Sequence, residues 1–326
     1  MERILLIETS TALCSTALAE DGVITAYRES SAPKAHASLT AVFVQEMLAE
    51  RGITLSDCDA VCVSKGPGSY TGLRVGVSTA KGLCFGADKP LLAVGTLDTL
   101  VAQAVADRSL NVNSDPVVTA DHPLDITSDL VVTADRSLNV TSDPVITADR
   151  SLDVTSDPVV TADHSLDVTS GRLTVIPDQI GDPLFIIPMI DARRMEVYSA
   201  VFSNTSSVIP SVPSVIPSAS SVIPSEVEGS PHYIQITETT PVIVDENSFA
   251  EYLEQGPVLF IGDGAGKCAD VINHPNAHFC QCHPKASSML SPAVAALRAG
   301  KFEDVAYFEP FYLKEFVATI SKKKLW

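Results

Sequence analysis

Positive charge is scarce in this 326-residue sequence: 22 Lys and Arg stand against 40 Asp and Glu, a net charge of −18. No basic stripe gathers the few cations, so the chain lacks the phosphate-neutralising surface that tight binding of nucleic acid needs. Long apolar runs are missing too. None approaches the roughly 20 residues that span a bilayer. The Ile4–Ile7 run stops at Glu8, too short for the core of a signal peptide. No C-x-x-C pair occurs, and the seven cysteines (14, 58, 62, 84, 268, 280 and 282) are odd in number and mostly embedded in apolar segments. That argues against a disulfide framework and for reduced thiols, so a soluble cytoplasmic protein with no membrane partner is expected. What is present is ample: hydrophobic content of 45% and length enough for two domains, each with its own core.

The acid is gathered in one place. Residues 107–170 hold twelve Asp and three Arg, a net −9, whereas residues 1–106 carry −3 and residues 171–326 carry −6. The same stretch repeats with a period of fourteen over 107–176, from DRSLNVNSDPVVTA to a decaying DHSLDVTSGRLTVI. A Val-rich segment and an Asp-Pro turn in each copy would suit a stacked β-solenoid. Against stacking, each copy has few large apolar residues and no capping unit is evident. Residues 105–176 are therefore expected to be a disordered insertion. The Asp spacing invites calcium, but the glycine-rich nonapeptide of such sites is absent. A second biased stretch, 206–230, contains SVIPS three times, and its prolines block regular ladders, so it reads as a loop. Without both segments about 230 residues remain, enough for two α/β subdomains at 1–104 and 177–326.

Arg3-Ile-Leu-Leu-Ile-Glu-Thr-Ser10 reads as a buried strand ending in an acid and two hydroxyls. Ser15–Ala19 and Val23–Arg28 flank Asp21-Gly22, the signal of a hairpin. Pro33 to Arg51 reads as a helix with Gly52 as its stop, and Leu39, Phe43 and Met47 make one apolar stripe along it. The most informative stretch follows the strand Asp59–Ser64: Lys65-Gly-Pro-Gly-Ser-Tyr-Thr-Gly-Leu-Arg-Val-Gly76, opening a second helix that runs to Phe85. A strand, a glycine-rich turn and a helix N-terminus present backbone N–H groups and a positive dipole end. Lys65, Gly66, Gly68, Ser69, Thr71, Gly72 and Arg74 are accordingly candidates for holding an anion or a closely approaching backbone. On the second helix Gly72, Gly76, Ala80 and Gly82 permit close helix–helix approach, with Leu73, Val77 and Leu83 between them.

That twelve-residue run resembles the signature of the TsaB family, the partner subunit of the bacterial machinery that makes threonylcarbamoyladenosine in tRNA. The opening strand and hairpin, Asp191–Tyr198, Val258–Ala265 and Pro310–Lys314 resemble further segments of the family in its order, and the likeness covers roughly 1–104 and 173–326. The resemblance implies an α/β protein of the actin/hexokinase-like (ASKHA) fold, two ribonuclease-H-like subdomains with low-complexity insertions. It implies that the helix pair, here His36, Leu39, Phe43 and Met47 with Leu73, Gly76, Val77 and Ala80, pairs either with a second copy or with a TsaD-like catalytic paralogue. That paralogue moves threonylcarbamoyl from its adenylate to the adenosine beside the anticodon of tRNAs reading codons that begin with A. A TsaE-like ATPase completes the set. The resemblance implies no catalytic residue, metal or cofactor on this subunit, ATP and a metal on the partners, and tRNA met only through the complex.

The residues themselves agree that catalytic pairs are missing. His36 has Thr40 four positions on, where a helix-borne metal pair would need a second histidine. Ile261-Gly-Asp-Gly-Ala-Gly-Lys-Cys268 lacks the phosphate-loop spacing and has Cys268 in place of the magnesium-binding hydroxyl. Glu8 stands where kinase-like relatives keep a carboxylate, and Asp191, Arg193 and Arg194 form an acid–base cluster, but neither has the second member that acid–base chemistry requires. His274–His283 packs five borderline ligands into ten residues without zinc-knuckle spacing. Two other readings stay open: an ATPase or phosphotransferase of the same fold, resting on Glu8 and the two glycine-rich turns, and a metallopeptidase, which would need the His274–His283 cluster.

Overall fold

β1 (Arg3–Glu8) sets Leu5 and Ile7 on one side and Ile4 and Leu6 on the other, all four buried. A strand apolar on both faces belongs inside a sheet covered on both sides. With β2 (Cys14–Glu20), β3 (Val23–Ser30), β4 (Ala60–Gly66) and β5 (Leu91–Gly95) it forms a sheet in the order β3-β2-β1-β4-β5, parallel to β4 and antiparallel to β2. Asp21 and Gly22 turn the β2–β3 hairpin at φ 48° and 79°, positive at both central positions as such two-residue turns require. The computed structural model describes residues 1–111, 182–204, 222–223 and 232–314. The repeats beyond residue 111 and nearly all of the Ser/Pro stretch 206–230 lie outside the described residues, and with them the expectation of disorder.

One face of this sheet is covered by two helices, α1 (Ala35–Glu50) and α2 (Tyr70–Ala87). Val44 and Met47 from α1, and Val77, Ala80 and Cys84 from α2, pack on Leu5, Ile7, Leu18, Val61 and Val63. α1 stands over β2 and β3, and α2 over β4 and β1. α3 (Thr96–Asn111) follows β5 and runs past residue 104, where the first subdomain was expected to end. The second half supplies a sheet of eight strands: β6 (Phe185–Asp191), β7 (Glu196–Ser199), β8 (Phe202–Asn204), β9 (Val222–Ile223), β10 (Tyr233–Gln235), β11 (Thr240–Ile243), β12 (Val258–Gly262) and β13 (Ala277–Gln281). Its order is β11-β7-β6-β8-β10-β9, with β12 parallel to both β6 and β13. Its core holds Phe185, Ile187, Met189, Val258 and Phe260, flanked by the short helices α4 (Ala250–Leu253) and α5 (Ala265–Ala269).

The chain then returns to the first sheet. A tight turn at Ala286–Met289 and α6 (Leu290–Arg298) lay Ala286, Met289, Ala293 and Val294 on Ile4, Leu6, Cys62 and Leu92, the face that α1 and α2 leave open. Ala286 N donates to Ser15 Oγ at 2.9 Å, tying the return to β2. Beyond it, Glu303 N donates to Leu91 O on the edge strand β5. Residues 303–314 form a strap running beside α2 towards its N-terminus, since Lys81 Nζ donates to Ala306 O (3.1 Å) and Phe308 O (2.9 Å), and Phe311 N donates to Lys65 O (2.7 Å). Lys314 ends the strap in an ion pair with Glu196 of β7. Because α1 lies over β2 and β3 while the strap starts at β5, the order across this face is α1, α2, strap.

Candidate functional site

The glycines of the loop answer to a neighbour within the chain. A Cβ on Gly68 would lie 2.3 Å from Ser10 O, one on Gly72 2.1 Å from Thr9 O, and one on Gly76 2.1 Å from Thr9 Oγ1. Spaced four apart, they make a bare groove at the start of α2 in which the end of β1 is seated. Ser69 caps the helix, its Oγ accepting from Gly72 N at 3.3 Å, and Ser69 N donates to Ser10 O at 2.6 Å. The anion expected at Gly68, Ser69 and Gly72 would need the space that the Thr9–Ser10 backbone fills, and Ser69 N and Gly72 N already donate to Ser10 O and Ser69 Oγ. Gly66, at φ 106°, is roofed by the strap, with Phe311 O 2.8 Å from where its Cβ would be. Lys65 offers its carbonyl to the strap, and Thr71 and Arg74 face outward. Arg74 lies over the Tyr70 ring (5.4 Å), which packs at 4.8 Å on Tyr312 of the strap.

Glu8, at the end of β1, is fully buried. Its Oε1 accepts from Ser10 N (2.6 Å) and Ser64 Oγ (2.9 Å), while Oε2 has no hydrogen-bond partner, nor do the hydroxyls of Thr9 and Thr11. Burial outweighs the two donors and pushes the carboxyl up to about 7. A sealed carboxyl that favours its neutral form is poorly placed for the role that kinase-like relatives give this position.

The helix pair divides its residues differently from the expected interface. Met47, Leu73, Gly76, Val77 and Ala80 are buried against the sheet or the end of β1 and have no surface to offer a partner. His36 is partly buried, its Nε2 2.9 Å from Thr11 O, and Leu39 and Phe43 are half-covered at the margin of α1. The outward faces belong to other positions: Ala37, Ala41, Val42 and Gln45 on α1, and Ser78, Gly82 and Phe85 on α2. Phe85 is 85% exposed. Arg74 is the charge on the outer side of α2, and the exposed Glu46 and Glu50 at the end of α1 both pair with Arg28. Apart from these three charges the outward surface of the pair is made of small, polar and apolar side chains.

The remaining sequence-predicted clusters have structural explanations. Gly262 (φ 133°) and Gly264 pack against Met189 O, and Lys267 is held by Asp191 and the carbonyls of Arg194 and Glu196, so this glycine-rich turn fastens α5 to the end of β6. Asp191 also accepts from Arg193 N, as a paired strand end rather than an anion site. Cys280 is buried, Phe279 stacks on Phe260 at 4.9 Å, and Gln281 accepts from Gly266 N. Among the described residues no three His, Cys, Asp or Glu gather as metal ligands. A cavity of about 290 Å³ between Ser199–Val201, Thr237–Thr240 and Phe249–Tyr252 contains none of the predicted site residues.

Sequence reasoning missed Phe85, Val42 and the strap aromatics as surface. Helical phase holds part of the signal, because Thr71, Arg74, Ser78, Gly82 and Phe85 recur at three- and four-residue spacing.

A mixed sheet carrying two helices on one face, and a second sheet whose chain returns to cover the other, define an actin-like (ASKHA) α/β protein. A solved Pseudomonas aeruginosa protein described as similar to peptidase YeaZ superposes with a TM-score of 0.59, at 19% identity over 96% of this chain and all of its own. The family profile of TsaD, tRNA N6-adenosine threonylcarbamoyltransferase, matches residues 28–120. The TsaB protein of Escherichia coli, named for tRNA threonylcarbamoyladenosine biosynthesis, is 41% identical over 102 residues, 31% of this chain and 44% of its own length. That of Haemophilus influenzae is 42% identical over 101 residues, covering 31% and 42%. A threonylcarbamoyltransferase of Novosphingobium aromaticivorans is 43% identical over 67 residues, 21% of this chain and 19% of its own. The chain thus spans less than half the length of the curated relatives it matches, and over that stretch it is similar to TsaB proteins. Among the described residues no helix is long and apolar enough to cross a membrane.

Proposed function

We propose that this chain is an accessory subunit in the synthesis of threonylcarbamoyladenosine in tRNA, docking a TsaD-like transferase through the outer faces of α1 and α2. The observation that carries the reading is the charge-poor surface of that helix pair. It lies within residues 28–120, the stretch that also resembles the transferase itself, so a partner built alike would present the same two helices. Like surfaces pairing about a two-fold or pseudo-two-fold axis are the commonest way for related chains to associate. Self-pairing and pairing with the transferase would then compete for one patch. A TsaE-like ATPase and tRNA are met in the complex, ATP and a metal are held by the partners, and the setting is the cytoplasm. The subunit acts by differential affinity for the transferase's active arrangement, which shifts that protein's population without contributing a reacting group.

The test is an omission experiment with the organism's own transferase, ATPase and adenylate-forming enzyme, plus threonine, bicarbonate, ATP and tRNA. Modified nucleoside is measured by mass spectrometry. Product is expected to vanish without this chain and to be absent with this chain alone. Undiminished product on omission would overturn the reading.

A further inference from the structure

We propose that the strap, residues 303–314, extends the docking face and supplies its aromatic anchors, chiefly Tyr307 and Phe311, to the transferase-like partner. This rests on the reading above of the α1–α2 face. Tyr307 is 84% exposed, yet its backbone is tightly fixed. Lys81 Nζ holds the carbonyls on either side of it, and Asp304 Oδ1 accepts from Ala306 N (2.8 Å) and Tyr307 N (3.2 Å). Val305 and Phe308 on the same strap are partly buried, packed against the core cluster that α1 and α2 form with the sheet. The sequence thus alternates between residues that anchor the strap inward and a ring that none of the described residues covers. Phe311 repeats the pattern one step on, its N–H bound to Lys65 O and its side chain 44% exposed.

Rings presented on an immobilised backbone lose little conformational freedom when a partner covers them, which is the property of interface anchors. Their position ties them to the helix pair. Phe85 stands one helical turn beyond Lys81, so Tyr307 and Phe85 lie near the same stretch of α2, and the strap borders α2 opposite α1. The surface runs across α1, α2 and strap, where the exposed rings Phe85, Tyr307 and Phe311 stand among a few charges, Arg74, Asp304 and Glu309. That chemistry fits a protein face better than a polyanion, since the cations that would meet phosphates are few: Lys81 is spent on carbonyls and Lys314 on Glu196.

The experiment uses the full chain and the organism's own transferase. Affinity is measured by sedimentation for wild type, Tyr307→Ala, Phe311→Ala and, as a control on the helix face, Phe85→Asp, with thermal melts of each variant alone. Tyr307→Ala is expected to weaken the heterodimer about tenfold with an unchanged melt, as for an interface anchor. If Tyr307→Ala and Phe311→Ala both bind within about twofold of wild type while Phe85→Asp fails, the strap is no anchor and the helix-face reading survives. If Phe85→Asp also binds normally, the docking face itself is wrong. Loss confined to self-association, or loss of tRNA crosslinking at unchanged heterodimer affinity, would overturn the assignment in favour of a second copy or of RNA.

Discussion

Replacing Glu8 by Gln should stabilise the protein at neutral pH, by an amount that depends on pH in a defined way. The carboxyl is raised from an ordinary 4.5 to about 7 by burial. Between those values the folded chain holds a proton that the unfolded chain has released, so stability falls as pH rises across the window. Losing that proton costs the wild type roughly 3 kcal/mol by pH 7, at about 1.36 kcal/mol per tenfold change in proton affinity, and little further above it. Gln has the same shape. It keeps an acceptor for Ser10 N and Ser64 Oγ and puts an amide where Oε2 lacks a partner. Urea unfolding of both proteins from pH 4.5 to 8 isolates the effect, because carboxylates held low by partners, such as Glu20 beside Arg3 and Arg51, act equally in both. The stability difference should be smallest at pH 4.5, grow through the window and flatten near 7, reaching on the order of 10 °C in melting temperature. A difference that is flat with pH would show that Glu8 is not a buried, proton-holding group.

The glycines give a paired prediction: Gly72→Ala should destabilise by at least about 1–3 kcal/mol, since its methyl would meet Thr9 O at 2.1 Å. Gly82→Ala, which meets nothing within 4 Å, should stabilise α2 by about 0.5–1 kcal/mol, both read from denaturant midpoints. Met47→Ala should cost about 2–5 kcal/mol as a core truncation, whereas Phe85→Asp should leave the melt unchanged and abolish heterodimer on size exclusion. Alkylation of the native protein should reach one thiol, Cys282, because the other six cysteines are buried, and all seven should react in denaturant. Labelling of Cys62 in the native state would contradict its burial in β1's sheet.

Local signals were legible where local chemistry decides. The apolar run of β1, the Asp21-Gly22 turn and the helix begun near Pro33 could be read directly, because pattern and turn geometry are properties of neighbouring residues. The loop from Lys65 to Gly76 was visible as special, but its reason was not. What demands glycine there is Thr9 and Ser10, about sixty residues earlier. The stripe Leu39, Phe43 and Met47 misled because residues four apart drift about 40° per step around a helix. Over two steps the stripe crosses from the margin of α1 into the core, where Met47 joins Val44 and Thr40. Whether an apolar helix position faces its own sheet or a partner depends on packing that spacing alone does not encode.

The return of α6 to the first sheet sets a schedule for synthesis. Leu92 and Val94 are made about 190 residues before Ala286 and α6 arrive to cover them. At roughly 5–20 residues per second, that face stays uncovered for roughly 10–40 s on each nascent chain. Residues 107–176 account for roughly a third of the delay. Their effect on equilibrium stability is slight, since loop closure grows only with the logarithm of length. Their effect on the growing chain is a longer period in which Ile4, Leu6, Cys62 and Leu92 have no cover, when a chaperone or another nascent chain can reach them first.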